Sequence, residues 1–81
     1  MTAQKTRLKI DHTYRVAGPA LRYGRSYQKE LFEALRYAGP MVPFRNGSPD
    51  LKRQIEVFYS FSRGHYVLFE QDSFEAEELL A

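Results

Sequence analysis

The chain has 81 residues, enough for one modest hydrophobic core and too few for two, so we expect a single domain over residues 1–81. Hydrophobic residues make up 43% and aromatic residues 15% of it, which favours a folded protein over a disordered one. The absence of cysteine excludes disulfides and thiolate metal sites. Residues 1–6 are polar with no apolar run behind them, so we expect a flexible start, no signal peptide, no membrane span and a cytoplasmic protein.

Charge is distributed unevenly along the chain. All 12 Lys and Arg residues precede residue 70 together with five of the 10 acidic residues, so residues 1–69 carry +7 and residues 70–81 carry −5. This basic body with an acidic C-terminal segment is the strongest functional indication in the sequence. Eight of the cations are Arg, whose guanidinium suits bidentate contacts with phosphate or carboxylate.

In chain order, the first two predicted elements are a strand and a helix. Apolar and polar side chains alternate from Leu8 to Val16, which predicts a strand that ends at Gly18-Pro19. After this strand the spacing of apolar residues changes from that of a strand to that of a helix. A suitable N-cap at Ser26 is followed by an apolar stripe at helical spacing and a stop at Gly39-Pro40. The members of that stripe are Tyr27, Leu31, Ala34, Leu35 and Ala38. We therefore predict a helix over 26–38 that lies across a sheet.

A short edge strand and a loop should follow the helix. Pro43 restricts a strand over 41–45 to a sheet edge, because proline has no N–H to donate to a ladder. Residues 46–50, Asn-Gly-Ser-Pro-Asp, have the composition of a loop.

The stretch from Leu51 to Gln71 is predicted to form a β-hairpin that turns at Arg63-Gly64. A two-residue turn would put one set of apolar side chains on the core side of both arms. That set is Val57, Tyr59, Phe61, Tyr66 and Leu68. The opposite side would carry Phe58, Val67 and Phe69, an aromatic surface that we expect to bind a ligand or to be buried against a partner or a second copy in a homodimer.

The acidic segment 72–81 is predicted to form a C-terminal helix or tail that begins at Asp72 or Ser73. The fold class expected from these elements is α+β. Its small antiparallel sheet would have about three or four strands, in the order β-α-(β)-β-β-α, with a helix packed on one face.

The heptapeptide Arg63-Gly64-His65-Tyr66-Val67-Leu68-Phe69 resembles the RNP1 strand of RNA-recognition motifs, which also opens with a basic residue and glycine before alternating aromatics. The resemblance implies RNA binding on a sheet surface. It covers seven of the 81 residues, lacks one position, has His where an aromatic is expected and has no RNP2 counterpart in the first strand.

The sequence predicts a small non-enzymatic nucleic-acid-binding protein with no cofactor and no metal. Phosphates would be neutralised by cations around the helix start and beside the hairpin, with aromatic support. These candidates are Arg22, Arg25, Lys29, Arg36, Lys52, Arg53 and Arg63. Two alternatives remain open: a protein-interaction module that docks through the hairpin 51–71, and a small basic ribonuclease that uses His12 and His65.

Overall fold

The computed structural model describes residues 7–22 and 25–79, so the expectation for residues 1–6 lies outside the described residues. These residues form strands and no helix, and the predicted α+β class is therefore wrong. The strands are β1 (Thr13–Arg22), β2 (Arg25–Met41), β3 (Phe44–Arg45), β4 (Ser48–Pro49), β5 (Ile55–Ser60), β6 (His65–Glu70) and β7 (Glu75–Glu78). Within the described ranges no helix is long and apolar enough to cross a membrane.

Four strands close into an antiparallel barrel. The long strand β2 pairs with β1 up to Arg36 and with β5 from Arg36 onward, so it serves two neighbours in turn. Strand β5 pairs with β6, and β6 returns to β1 through the pair Leu21 and Leu68. Strand β7 extends the sheet along the free edge of β1, while β3 and β4 form a separate small hairpin around Asn46-Gly47, within the predicted loop.

The predicted helix over 26–38 is the greater part of β2. Phe32 and Leu35 are both buried, because a register shift against β1 places a bulge between them and reverses the alternation of the strand. The bulge therefore places two buried residues three positions apart, a spacing that indicates a helix when only the sequence is considered. Leu31 and Ala34, which were assigned to the buried stripe, are exposed.

The first strand also differs from its prediction. It begins at Thr13 rather than near Leu8, and it continues through Gly18 and Pro19 to Arg22. Pro19 lies next to a second register shift, the kind of position at which a sheet accepts proline.

The C-terminal helix is wrong as well, because Glu75–Glu78 forms the edge strand β7. A helix of about nine residues is marginal alone, whereas the free edge of β1 supplies hydrogen-bond partners for a strand. Phe74, just before β7, packs on Phe58 and Phe69 with ring centroids 5.8 and 5.1 Å apart. Gly18 permits this approach, since a Cβ on Gly18 would lie 2.6 Å from the Cβ of Phe74.

The central hairpin is confirmed, but its register and its orientation differ from the prediction. The turn contains four residues, 61–64, so Tyr59 pairs with Tyr66 and Phe58 with Val67. The observed pairing is shifted by two residues from the predicted one. Because side chains alternate with a period of two, the same residues still share each face. The inward face, however, is the one that was expected to be a surface.

Phe58, Val67 and Phe69 are therefore core residues rather than an aromatic or dimer surface. Their exposed fractions are 0%, 4% and 0%. Phe58 sits at the centre of the barrel, where its ring contacts those of Tyr14, Tyr37, Phe69 and Phe74. Edge-to-face aromatic packing of this kind fills a small barrel and stabilises it beyond simple burial of area.

Candidate nucleic-acid interface

The outward face of the hairpin carries three aromatic side chains, Tyr59, Phe61 and Tyr66, which we call the platform. Tyr59 lies between the other two, with its ring centroid 5.0 Å from that of Phe61 and 4.9 Å from that of Tyr66. Phe61 is 67% and Tyr66 is 60% exposed, so both have large areas of ring in contact with water. Tyr59 is half-buried between them. Exposed rings grouped on one face form a surface that can stack planar groups.

Arg36 borders the platform from the neighbouring strand. It pairs with Tyr59 across β2 and β5, and its guanidinium carbon lies 4.8 Å from the centroid of the Phe61 ring. Its Nε is 4.0 Å from a carboxylate oxygen of Asp11, the outer limit of an ion pair. The guanidinium is thus held over the ring of Phe61 by a cation–π contact, while part of it remains open to solvent.

An open cleft of about 350 Å³ adjoins the platform where β1 ends and β6 begins. It is lined by Ala20, Leu21, Arg22, Phe32, Arg63, His65, Tyr66 and Val67. Tyr66 belongs to both the platform and the cleft, so the two form a continuous surface.

Arg63 is held in place across this cleft. Its guanidinium carbon lies 4.7 Å from the centroid of the Phe32 ring, and its Nη2 donates to a carboxylate oxygen of Glu30 at 2.6 Å. Beside it, Nδ1 of His65 lies 3.0 Å from the backbone oxygen of Tyr66. Because a carbonyl oxygen can only accept, Nδ1 carries the hydrogen and Nε2 is the ring nitrogen left for another contact.

The structure divides the seven predicted cations instead of joining them in one patch. Arg22 and Arg63 line the cleft, Lys29 is exposed on the strand that pairs with β1, and Arg36 borders the platform. The backbone of Arg25 pairs with that of Arg22, and its side chain lies outside the described residues.

Lys52 and Arg53 lie at the other end of the barrel, before β5. Arg53 forms an ion pair with Glu70, and its hydrogen bond to that carboxylate raises the pKa of Arg53. The amide of Lys52 donates to Asp50, while its side chain is exposed. These two cations are therefore not part of the surface that contains the platform and the cleft.

That other end is occupied by side-chain hydrogen bonds. The Tyr37 hydroxyl donates to one carboxylate oxygen of the buried Glu56 at 2.5 Å, and Nε2 of Gln54 donates to the other at 2.8 Å. Burial, followed by this hydrogen bond and the charge of Glu56, raises the pKa of Tyr37. Both oxygens of Glu56 therefore have donors within the protein.

The two histidines lie at opposite ends of β1. His12 precedes β1, and its Nδ1 is 2.6 Å from a carboxylate oxygen of Glu78 on β7. That hydrogen bond, with smaller contributions from the charges of Lys9 and His12, lowers the pKa of Glu78. His65 lines the cleft beyond the other end of β1. The 10 residues of β1 span about 30 Å as an extended strand, so the two histidines are far apart.

The sequence pattern did not predict the platform, because polar residues lie on the inward face of the hairpin. Glu56 and Ser60 alternate with Phe58 on β5, and these polar residues led the sequence pattern to assign that face to the outside. Both are buried with partners, since Ser60 accepts a hydrogen bond from the amide of Arg63 at 3.1 Å. The described residues contain no group of three or more acidic or His side chains placed to hold a metal ion.

Comparison of the chain with protein-family models, with curated proteins and with solved structures found no match. The resemblance of residues 63–69 to an RNP1 strand does not extend to the fold. RNA-recognition motifs contain helices, and residues 7–22 and 25–79 contain none.

Proposed function

We propose that this protein is a cytoplasmic, non-enzymatic binder of single-stranded nucleic acid. Bases would stack on Tyr59, Phe61 and Tyr66, while Arg36 and the cations of the cleft neutralise the phosphates. The observation that carries the proposal is the exposed platform on a sheet face with a guanidinium fixed beside it.

The exposure of the platform supports a stacking role. Phe58 and Phe69 lie inside the barrel, whereas Phe61 and Tyr66 keep most of their area in water, next to their shared neighbour Tyr59 on one face. Every base has an apolar π-face, so stacking on such rings tolerates any sequence and contributes about 1–3 kcal/mol per base. An aromatic and cationic surface therefore matches both parts of a nucleotide.

A single strand fits this surface better than a duplex does. Bases in a duplex are stacked on one another and present only their edges, so their faces are not available to Tyr59, Phe61 or Tyr66. In a single strand the faces are free, and the backbone is flexible enough to follow from the platform towards the cleft.

The ribonuclease alternative has no support from the positions of the histidines. General acid and general base must both reach the reacting phosphate, within hydrogen-bond distance or through one water. His12 and His65 are separated by the length of β1, so they do not form such a pair.

The protein-interaction alternative loses the residues on which it was based. Phe58, Val67 and Phe69 are inside the barrel, so neither a partner nor a second copy reaches them. A protein that docked on the platform instead would respond weakly to salt, whereas binding to nucleic acid weakens steeply because counterions are released from the phosphates.

Fluorescence anisotropy with labelled single-stranded DNA, single-stranded RNA and duplex DNA tests the proposal at about 50 and 200 mM salt. We expect single strands to bind more tightly than the duplex and to lose at least about tenfold in affinity between the two salt concentrations. Phe61→Ala and Tyr66→Ala should each weaken binding about tenfold, as expected for the loss of one stacking partner.

The matched control is Phe44→Ala. Phe44 is 71% exposed, comparable with Phe61, but it lies on the separate β3–β4 hairpin. It should leave binding unchanged. Absence of binding to all three nucleic acids, or equal losses in the platform and control variants, would contradict the proposal.

A further inference from the structure

The cleft has features that a stacking platform alone does not require. It lies where β1 ends, and its inner wall includes Ala20, Phe32 and Val67, all of which are buried core residues. The barrel behind that wall is filled by aromatic rings, so the cleft is closed on the inside. A strand that reaches this point from the platform cannot continue through the barrel.

The charged groups of the cleft come from two different elements. Arg22 is at the end of β1, and Arg63 is in the turn between β5 and β6. Glu30 is bonded to Arg63, but a guanidinium has five N–H donors, so a single carboxylate contact leaves donors for another anion. The contacts of Arg63 with Phe32 and Glu30 hold its guanidinium over the cleft before any ligand binds.

We propose that this cleft binds the terminal phosphate of a single strand that lies on the platform, an inference that rests on the proposed function. Arg22 and Arg63 would contact the phosphate oxygens, and Tyr66, shared by both surfaces, would stack on the terminal base. The ligand of the cleft is thus a phosphomonoester at a strand end.

Charge favours a terminal phosphate over an internal one. An internal phosphodiester carries one negative charge, whereas a phosphomonoester carries about −1.5 to −2 at neutral pH and has three oxygens that accept hydrogen bonds. Arg22, Arg63 and Glu30 together carry a net positive charge, which attracts the more highly charged phosphomonoester more strongly. Hydrogen bonds from guanidinium to phosphate are charge-assisted and often bidentate. The volume of the cleft also fits a ligand of this size, since about 350 Å³ is in the range of pockets that hold one small molecule.

The experiment compares one short oligonucleotide in three forms: with a 5′-phosphate, with a 3′-phosphate, and with hydroxyls at both ends. The fluorophore is attached to an internal base so that both ends are free. We expect one phosphorylated form to bind at least about tenfold more tightly than the hydroxyl form, an increment typical of one added charge-assisted contact. Which form gains affinity also gives the direction of the strand on the platform.

Arg22→Gln should abolish that preference, measured as the ratio of the affinities for the phosphorylated and hydroxyl forms within the same variant, and Arg63→Lys should reduce that ratio. Arg45→Gln is the matched control, because Arg45 is an exposed arginine on the separate β3–β4 hairpin. Circular dichroism confirms that each variant is folded.

The two proposals fail in different ways. Equal affinity for all three forms, with binding still sensitive to Tyr66→Ala, would overturn the phosphate site and leave the proposed function standing. No binding of any form would overturn the proposed function and, with it, the phosphate site. A phosphate preference that survives Arg22→Gln and Arg63→Lys would place the phosphate elsewhere and also overturn the inference.

Discussion

The two faces of the central hairpin have similar composition and opposite roles. The inward face carries Phe58 and Phe69, and the outward face carries Tyr59, Phe61 and Tyr66. On the inside, rings contributed by β1, β2 and the segment before β7 complete the packing around Phe58. On the outside, the rings contact one another and the guanidinium of Arg36, and no further strand covers them in the part of the chain that the structure describes.

A face of the hairpin becomes core through what the rest of the chain packs against it. Hydrophobicity alone does not separate these faces, because the inward one includes Glu56 and Ser60. What distinguishes them is closure of the barrel, which encloses one face and leaves the other in water.

Phe58→Ala should lower the free energy of unfolding by about 3–5 kcal/mol, because it leaves a cavity among four aromatic rings. Phe61→Ala removes the same side chain from the outward face and should cost less than about 1 kcal/mol. Urea denaturation of both variants measures the difference. Equal losses would show that the two faces are not energetically distinct.

Gly18→Ala should destabilise the protein by about 1–3 kcal/mol through overpacking. The new methyl group would meet the Cβ and backbone of Phe74, and the segment that completes the inward face would have to move. Gly64→Ala is the comparison, since nothing lies within 4 Å of that position and its positive φ alone costs about 1 kcal/mol. Thermal unfolding ranks the two, and a smaller loss for Gly18→Ala would contradict the close packing of Phe74.

Stability should fall as the pH rises above about 10, the pKa of an unperturbed tyrosine. The pKa of Tyr37 is raised in the folded protein, so the folded state retains a proton that the unfolded state releases, and alkaline pH favours unfolding. Below that pH both states are protonated and Tyr37 adds no pH dependence. Urea denaturation between pH 8 and pH 11, with tyrosinate absorbance, measures the effect.

Tyr37→Phe should reduce this alkaline loss, whereas Tyr66→Phe, which alters an exposed tyrosine of the outward face, should leave it as it is. The same alkaline slope in Tyr37→Phe and in the unmodified protein would be inconsistent with the raised pKa of Tyr37.

Arg36→Gln should have the smallest effect on folding and a defined effect on binding. Loss of one phosphate contact reduces the slope of log affinity against log salt by about one unit at most. Arg45→Gln, on the β3–β4 hairpin, should not change that slope. An unaltered slope of log affinity against log salt in Arg36→Gln would show that Arg36 does not contact a phosphate.

Part of the fold could be predicted from local patterns. The strands β5 and β6 follow from a period of two and from Gly64, which has a φ of 75° in the turn. The helix over 26–38 was wrong because the bulge between Phe32 and Leu35 imitates helical spacing. A bulge depends on pairing with a distant strand, and a single-sequence pattern contains no information about that partner.

The sequence indicated the kinds of residue in the candidate site but not the face of the hairpin on which they lie. Aromatic and cationic residues of the hairpin were identified, but Tyr59, Phe61 and Tyr66 were assigned to the core. The choice between faces depended on Glu56, whose partners Tyr37 and Gln54 come from β2 and from the segment before β5. Since those contacts are tertiary, the sequence could show that two faces exist but not which one closes inward.

The position of β7 has a consequence for association between molecules. A strand at the edge of a sheet offers unpaired backbone groups on which another chain can form a new strand. Three of the four residues of β7 are glutamates, so a second copy that paired there through its own β7 would bring rows of carboxylates together. Repulsion between these carboxylates should therefore disfavour pairing of two copies along this edge.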